Sequence, residues 1–487
     1  MRSFFPDHIT LGADLKSKTF SFDVLMIKSM YSPIVPITIH ARKIFGALFL
    51  VLGCVFATSV PAWAESEKQE LAQEFFAKGL GYYWAQDMSQ HYEEAFVWLS
   101  KAAEYDHPRA QAILADMLGH GLGTEIHLQK SLVYAVASAQ QGDVFGQFLT
   151  GMAFYKGLGV PVDQDKGIQM FSQILDALEV EAESGDGHVQ ACLAWIYYNL
   201  SSANRDYQKA HHWYEKSAVQ GYSVAQSMLG LMFGRGDGVR RNAKAEIVWY
   251  RRAAEQGSPI GQFNLAMALG DQGDFEGEFT WARRAANLRY AEAEYWMGQM
   301  FEDGEGRPVD LQESFSWYQK AAEQGYAPAQ LKLGEFYQYG NGREENYQEA
   351  KKWYEAAAEN GEGEAMANLG HFYEHAVGVE KDYVQARTWY ERGAAVANSY
   401  SQARLGYLYM QGHGVKQDLD KAHEWLRRAA RGGDEWAYYG IGLIYEEQRQ
   451  YSKAIGWYLL SAINGYDFGF KRAVYLLVVY PVISFQI

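Results

Sequence analysis

Tryptophan recurs along this chain at Trp213, Trp249, Trp281, Trp317, Trp353, Trp389, Trp425 and Trp457, at intervals of 36, 32, 36, 36, 36, 36 and 32 residues. The same register continues backwards through Phe171, Tyr134 and Trp98, giving eleven units between about residues 71 and 466. A fixed period near 36 residues is one helix–turn–helix unit, which cannot bury its apolar face alone and must stack on its neighbours. The period therefore predicts an all-α chain, an α/α superhelix (solenoid) of about eleven helix–turn–helix repeats. Length alone would have suggested about three separate domains.

The stretch Ala329 to Gly361 serves as the reference unit, with Ala329 as position 1. Ala329, Leu333 and Tyr337 fall at positions 1, 5 and 9, on one predicted face of a first helix. Gly334, at position 6, recurs as Gly151, Gly230, Gly298, Gly370, Gly406 and Gly442. A glycine inside a helix costs ~1 kcal/mol against alanine, so its repetition implies close approach of a neighbouring element. Gly340 and Gly342 supply the turn. Asn346 caps a second helix, with Glu349 placed to complete a capping box, and Asp310 with Glu313 and Asp382 with Gln385 repeat the device. Asp206, Asn242 and Asp418 supply the cap alone. Ala350, Trp353, Tyr354, Ala357 and Ala358 form the packing face of the second helix, on which Trp353 is expected to be a buried aromatic. Gly361 ends it.

These residues resemble the Sel-one-like repeat family, a relative of the tetratricopeptide repeats. The family pattern is matched by Ala329-Gln330, Leu333-Gly334, Tyr337, Gly340, Gly342, Ala350, Trp353-Tyr354, Ala357-Ala358 and Gly361. Ser401-Gln402, Leu405-Gly406, Tyr409, Gly412, Gly414, Asp418, Ala422, Trp425 and Ala429-Ala430 match almost as well. The resemblance covers about four fifths of the chain and implies an adaptor or scaffold in signalling, envelope assembly or host contact. The matched residues are packing residues, so they do not specify a ligand.

Departures from the pattern are local. The units around Leu265 and Ile441 are four residues short, and the unit around Leu193 replaces its turn glycines. Six extra residues lie between Phe171 and Gln190. After Gly465, where a new first helix is due, residues 467–487 read as a degenerate apolar segment that includes the run Ala473 to Tyr480 and Pro481.

At the other end, Arg42 and Lys43 precede an apolar run over about residues 44–60, then Ala62-Trp63-Ala64 and a polar lead-in over residues 65–70. This is the order of a signal peptide, with cleavage expected after Ala64 and residues 1–64 forming the leader. The product would be periplasmic or secreted, without stable membrane insertion. Cys54 falls inside the leader, leaving Cys192 as a small core hydrophobe with no disulfide and no cysteine-based zinc site. A formal charge of -15 argues against nucleic acid, whose phosphates require basic stripes.

Little in the sequence suggests chemistry. His371-Phe372-Tyr373-Glu374-His375 has the inverted zinc-protease spacing, which makes a zinc-dependent hydrolase one alternative. Against it, Tyr373 is the repeat's own position 9 tyrosine, and His371, Glu374 and His375 fall at variable surface positions. Neither cofactor nor metal is expected. A membrane-tethered structural envelope protein is a second alternative, should the leader be retained. The favoured reading is an exported scaffold holding a protein or peptide partner. Positions 3, 7 and 10 of the first helix lie opposite positions 1, 5 and 9, and the family resemblance places that side on the concave surface. The expected partner-binding row begins with Phe148, Met152 and Tyr155, then Phe263 and Met267. It continues through Tyr295, Gln299 and Glu302, then Leu331, Glu335 and Gln338. His371 and Glu374 follow, then Tyr407 and Met410, and finally Tyr439 and Leu443. Tyrosine and methionine suit adaptable binding surfaces.

Overall fold

A computed structural model describes residues 62–84, 91–200, 206–304 and 308–480. The leader's apolar run at 44–60 lies outside the described residues, while the expected cleavage point after Ala64 falls in the first turn of the helix Ala62–Tyr83. Contacts divide the chain after Glu65, and the architecture below is that of Ser66–Ile487.

The described residues form twenty-three α-helices and no strand. They comprise eleven first–second helix pairs followed by one further first helix, Phe468–Val479. In the reference unit the pair is Ala327–Tyr339 and Tyr347–Glu359. From the second unit on, each second helix packs against its own first helix and against the first helix of the next unit. Several consecutive first helices also touch, as Gly363–His375 does Ser399–Gln411, and Ser399–Gln411 does Glu435–Glu447. Second helices make no comparable contact among the described residues, which sets the first helices on the inner side of the curve.

The spacing of core residues explains the recurrent glycine. A Cβ on Gly334 would stand 2.4 Å from Tyr354 Cε1, and one on Gly370 would stand 2.4 Å from Tyr390 Cε1. The glycine thus makes room for an aromatic ring from the second helix. That ring is the tyrosine after the tryptophan: Tyr318, Tyr354, Tyr390 and Tyr458 are fully buried, whereas Trp353 is only half-buried. The expectation of Trp353 as the buried aromatic is corrected accordingly. Several of the half-buried tryptophans are covered instead by cations one turn on, with Arg252 4.5 Å over Trp249 and Arg392 4.4 Å over Trp389. On the first helix, Phe336 at position 8 is fully buried, and Tyr337 at position 9 is half-buried under Arg343. Positions 1, 5 and 8 are therefore the core stripe.

The caps form as expected, but not as reciprocal boxes. Asn346 Oδ1 accepts from Glu349 N at 3.1 Å. The Asn346 N–H, which a capping box would give to Glu349, donates to Tyr337 O at 2.7 Å, and Asp382 N and Asp418 N do likewise to Tyr373 O and Tyr409 O. The backbone of the first helix has displaced the glutamate. The glutamine at position 2 is a second recurring tie. Gln330 Nε2 donates to Ala322 O of the preceding second helix at 3.1 Å, while its Oε1 accepts from Asn360 Nδ2 at 2.9 Å. Gln190 and Gln226 repeat both bonds.

Glu294 occupies this glutamine's place, is buried, and accepts from Gln324. Burial pushes its pKa from an ordinary value near 4.5 up to about 7, with the Gln324 bond opposing the shift. The folded chain therefore holds this proton more tightly than the unfolded chain does. Its contribution to stability is intact below about pH 4.5 and is lost as the pH rises through 7. Glu294→Gln should be near neutral at pH 4.5 and stabilise by on the order of 3 kcal/mol at pH 8. Urea titrations of both chains across that range check this; a difference independent of pH would refute it.

The first five units share one continuous core running from Phe76 to Met232. Distant units meet there: Tyr222 Oη donates to Asp116 Oδ1 at 3.0 Å, and Tyr92 Oη donates to Gln256 Oε1 at 3.1 Å. Asp116 is buried and also receives Tyr83 Oη at 3.4 Å and faces His120 Nδ1 at 2.9 Å. Burial alone would lower the His120 pKa, but the Asp116 carboxylate outweighs it and raises it. Beyond the first five units the core separates into small clusters of one or two units each. Cys192 is buried, as expected of a core hydrophobe.

The four-residue deletions shorten the link between the two helices, as at Asp271–Asp274. The six extra residues lengthen a second helix to Gln164–Ala182. Of the terminal apolar segment, Phe468–Val479 is helical, with Gly469, Ala473 and Leu476 buried in register with the core stripe, while residues 481–487 lie outside the described residues.

Candidate partner-binding surface

The first helices place the seventeen expected residues in three environments. Phe148, Leu331, Glu374 and Met410 are buried, so their expected role in an open surface is corrected. Phe148 lies 5.3 Å from the Phe171 ring and 5.7 Å from that of Trp195. The same neighbours enclose much of Tyr155. In these early units the row that was expected to face a partner packs into the shared core, with Met152 and Tyr155 half-buried against it.

A second group spends its polar atoms inside the protein. Tyr390 Oη donates to Glu374 Oε2 at 2.8 Å, and Arg404 Nε donates to the same oxygen at 3.0 Å while Arg404 Nη2 meets Oε1. This is a bidentate pair, and Arg404 comes from the next unit. Tyr318 Oη donates to Glu302 at 2.6 Å, with Lys332 Nζ 3.7 Å from the other carboxylate oxygen. Tyr458 and Arg472 repeat the arrangement on Glu446. In the intervening unit Gln338 accepts from Tyr354 Oη at 2.7 Å. Position 10 is thus a staple between units. A sequence signal existed: Glu302 and Lys332 are 30 residues apart, as are Glu374 and Arg404. The separation places the cation at position 4 of the following first helix.

This staple also accounts for the His-x-x-Glu-His motif. The Glu374 carboxylate is engaged by Arg404 and Tyr390, not held free as a base. The His371 and His375 rings lie 4.4 Å apart, tilted by 39°, and burial, aided by His375, lowers the His371 pKa. Among the described residues no group of three or more His, Cys, Asp or Glu side chains is placed to hold a metal ion.

The third group remains half-buried at positions 3 and 7: Phe263, Met267, Tyr295, Gln299, Glu335, His371, Tyr407, Tyr439 and Leu443. One side of each aromatic supports the stack. Tyr295 lies 5.3 Å from Tyr318 and 5.5 Å from Tyr326, and Tyr439 lies 5.1 Å from Tyr458 and 5.3 Å from Tyr466. The Arg404 guanidinium covers Tyr407 at 4.6 Å, with Trp436 5.9 Å away. Tyr326 and Trp436 extend the row although the sequence reading omitted them. Tyr326 is a helix N-cap and Trp436 lies in the first turn of Glu435–Glu447, both N-terminal to positions 3, 7 and 10. Glu335 pairs with Lys332 at 3.0 Å, and burial raises its pKa against that cation.

Ten segments of the chain, within residues 76–466, match the Sel1 repeat. Residues 259–290 are not among them, yet they form the same helix pair, Pro259–Gly270 and Phe275–Asn287. The chain is similar in structure to a protective antigen of uropathogenic Escherichia coli with an SLR fold, at 28% identity and a TM-score of 0.52, covering 86% of this chain and 90% of that one. A Sel1 repeat protein from Oxalobacter formigenes is similar at 27% identity and a TM-score of 0.46, covering 63% and 88% respectively. In sequence, 227 residues are 26% identical to a chitin synthase regulator of Saccharomyces cerevisiae, covering 44% of this chain and 32% of the regulator. The chain thus spans about a third of the length of that curated relative. With ten matched units over most of its length, in the register of its helix pairs, this chain belongs to the Sel1 repeat family.

Proposed function

We propose that this chain is an exported scaffold that holds a protein or peptide partner along the inner, first-helix face of its later units. The half-buried row from Tyr295 through Gln299, His371 and Tyr407 to Tyr439 carries the reading, because these side chains keep one side exposed at a repeating register. The filled interior of the first five units directs the partner to the later ones. A Sel1-repeat solenoid fits an interaction scaffold, and no catalytic step is assigned to it. Export rests on the leader pattern and is supported by likeness to a protein described as a protective antigen. No helix among the described residues is long and apolar enough to cross a membrane.

The test is affinity capture from envelope extract with the exported chain, whose N-terminus is sequenced in the same preparation. Tyr295→Ala with Tyr407→Ala should abolish most capture of the partner that the parent chain retains, with helical content unchanged and the chain still folded at the assay temperature despite a lower melting temperature. Capture that survives the double substitution removes the face from consideration. An N-terminus upstream of the apolar run, in place of Glu65, removes soluble export.

A further inference from the structure

The last described helix, Phe468–Val479, holds the place of a first helix in the stack. Gly469, Ala473 and Leu476 occupy positions 1, 5 and 8 and are buried against Tyr451–Ile463. In the eleven preceding units position 6 is glycine or alanine, ending with Gly442. In most of them it lies under an aromatic ring of the unit's second helix, as a Cβ on Gly442 would stand 2.5 Å from Tyr458 Cε1. Here position 6 is Val474, which fills the space such a ring would need. Position 2, where Gln330 makes its two buried bonds, is Phe470, which is 58% exposed. The side that elsewhere accepts a repeat-type second helix has been rebuilt so that it cannot.

The replacement is an apolar seam. Phe470, Val474, Leu477 and Val478 fall at i, i+4, i+7 and i+8, the spacing of a stripe for packing another helix. Eight apolar side chains between Phe468 and Tyr480 are each 38–72% exposed. They fall on two flanks of the helix, and the four side chains of the seam leave on the order of 400 Å² uncovered, a patch of the size that is often functional on a monomer.

We infer that this face pairs with the same face of a second copy, the two Phe468–Val479 helices packing antiparallel about a two-fold axis. Three features favour a second copy over an unlike protein. The seam carries no acidic side chain, and such uniformly apolar patches characterise homodimers. Its spacing is self-complementary, as an isologous contact requires. In an antiparallel pair centred near Val474, the exposed Lys471 reaches the other copy's last turn, which has no basic residue of its own and whose carbonyl dipole favours a cation.

Sedimentation equilibrium of the full-length chain should show a dimer with Kd at or below about 10 µM. Val478→Asp and Phe470→Asp, both at exposed positions, should each weaken association at least about tenfold. Their thermal melts should remain parental at matched monomer concentration. Val133→Asp, equally exposed on a distant second helix, should leave the dimer intact. A parent chain that is monomeric at about 50 µM overturns the inference, as does a dimer indifferent to both seam substitutions. Flotation of a monomeric chain with phosphatidylcholine–phosphatidylglycerol vesicles would overturn it in favour of a lipid surface. Partner capture by the inner face is scored separately, so either proposal can fail alone.

Discussion

Tyr354→Ala should destabilise its unit by about 3–5 kcal/mol, as for other fully buried aromatics, whereas Trp353→Ala should cost no more than about half as much. Tyr354 has no exposed surface, and its ring fills the space left by Gly334. Its Oη also donates to Gln338 Oε1, so truncation leaves both a cavity and an unmatched amide. Trp353 keeps part of its surface in water and loses less. Because each unit touches mainly its neighbours, the loss should be local. Native-state hydrogen exchange should show faster exchange from about Ala327 to His375 in Tyr354→Ala, with the first five units unchanged. Equal effects of the two substitutions would contradict the assignment of the tyrosine as the central ring. Gly334→Val should resemble Tyr354→Ala, since its side chain must enter the same space.

Arg404→Ala should cost about 3–5 kcal/mol, the usual penalty for removing one member of a buried ion pair. Glu374 is 3% exposed and would retain only Tyr390 as a near hydrogen-bond donor. The pair itself need not stabilise the fold, because desolvation of both charges offsets their attraction. The informative measurement is therefore the double substitution. Arg404→Met with Glu374→Gln should recover most of the loss, since the intervening unit already satisfies its tyrosine with Gln338. If Arg404→Ala alone is neutral by urea denaturation, the staple has no structural weight, and Glu374 would again be available to the inner surface. Glu302 and Lys332 form the same tie with more exposure and should show a smaller effect.

The sequence by itself determined the architecture. Eight tryptophans in one register, with glycine or alanine at position 6 and an Asn or Asp cap before most second helices, admit one two-helix unit and one way of stacking it. These features were legible because they are local: a turn, a cap or a helix face depends on residues within one period. The tertiary structure alone decided which partner each side chain meets in the next unit. The register showed that an aromatic pair sits on the second helix, but not that Tyr354 turns into the core while Trp353 turns outward. It put Glu302, Gln338 and Glu374 on the inner face without revealing that a tyrosine and a following cation hold the two glutamates. It gave no sign that Tyr222 and Gln256 return to Asp116 and Tyr92, which joins the first five units and closes their interior. Such contacts depend on the small rotation between successive units. That rotation accumulates from packing at every junction and is written in no single repeat.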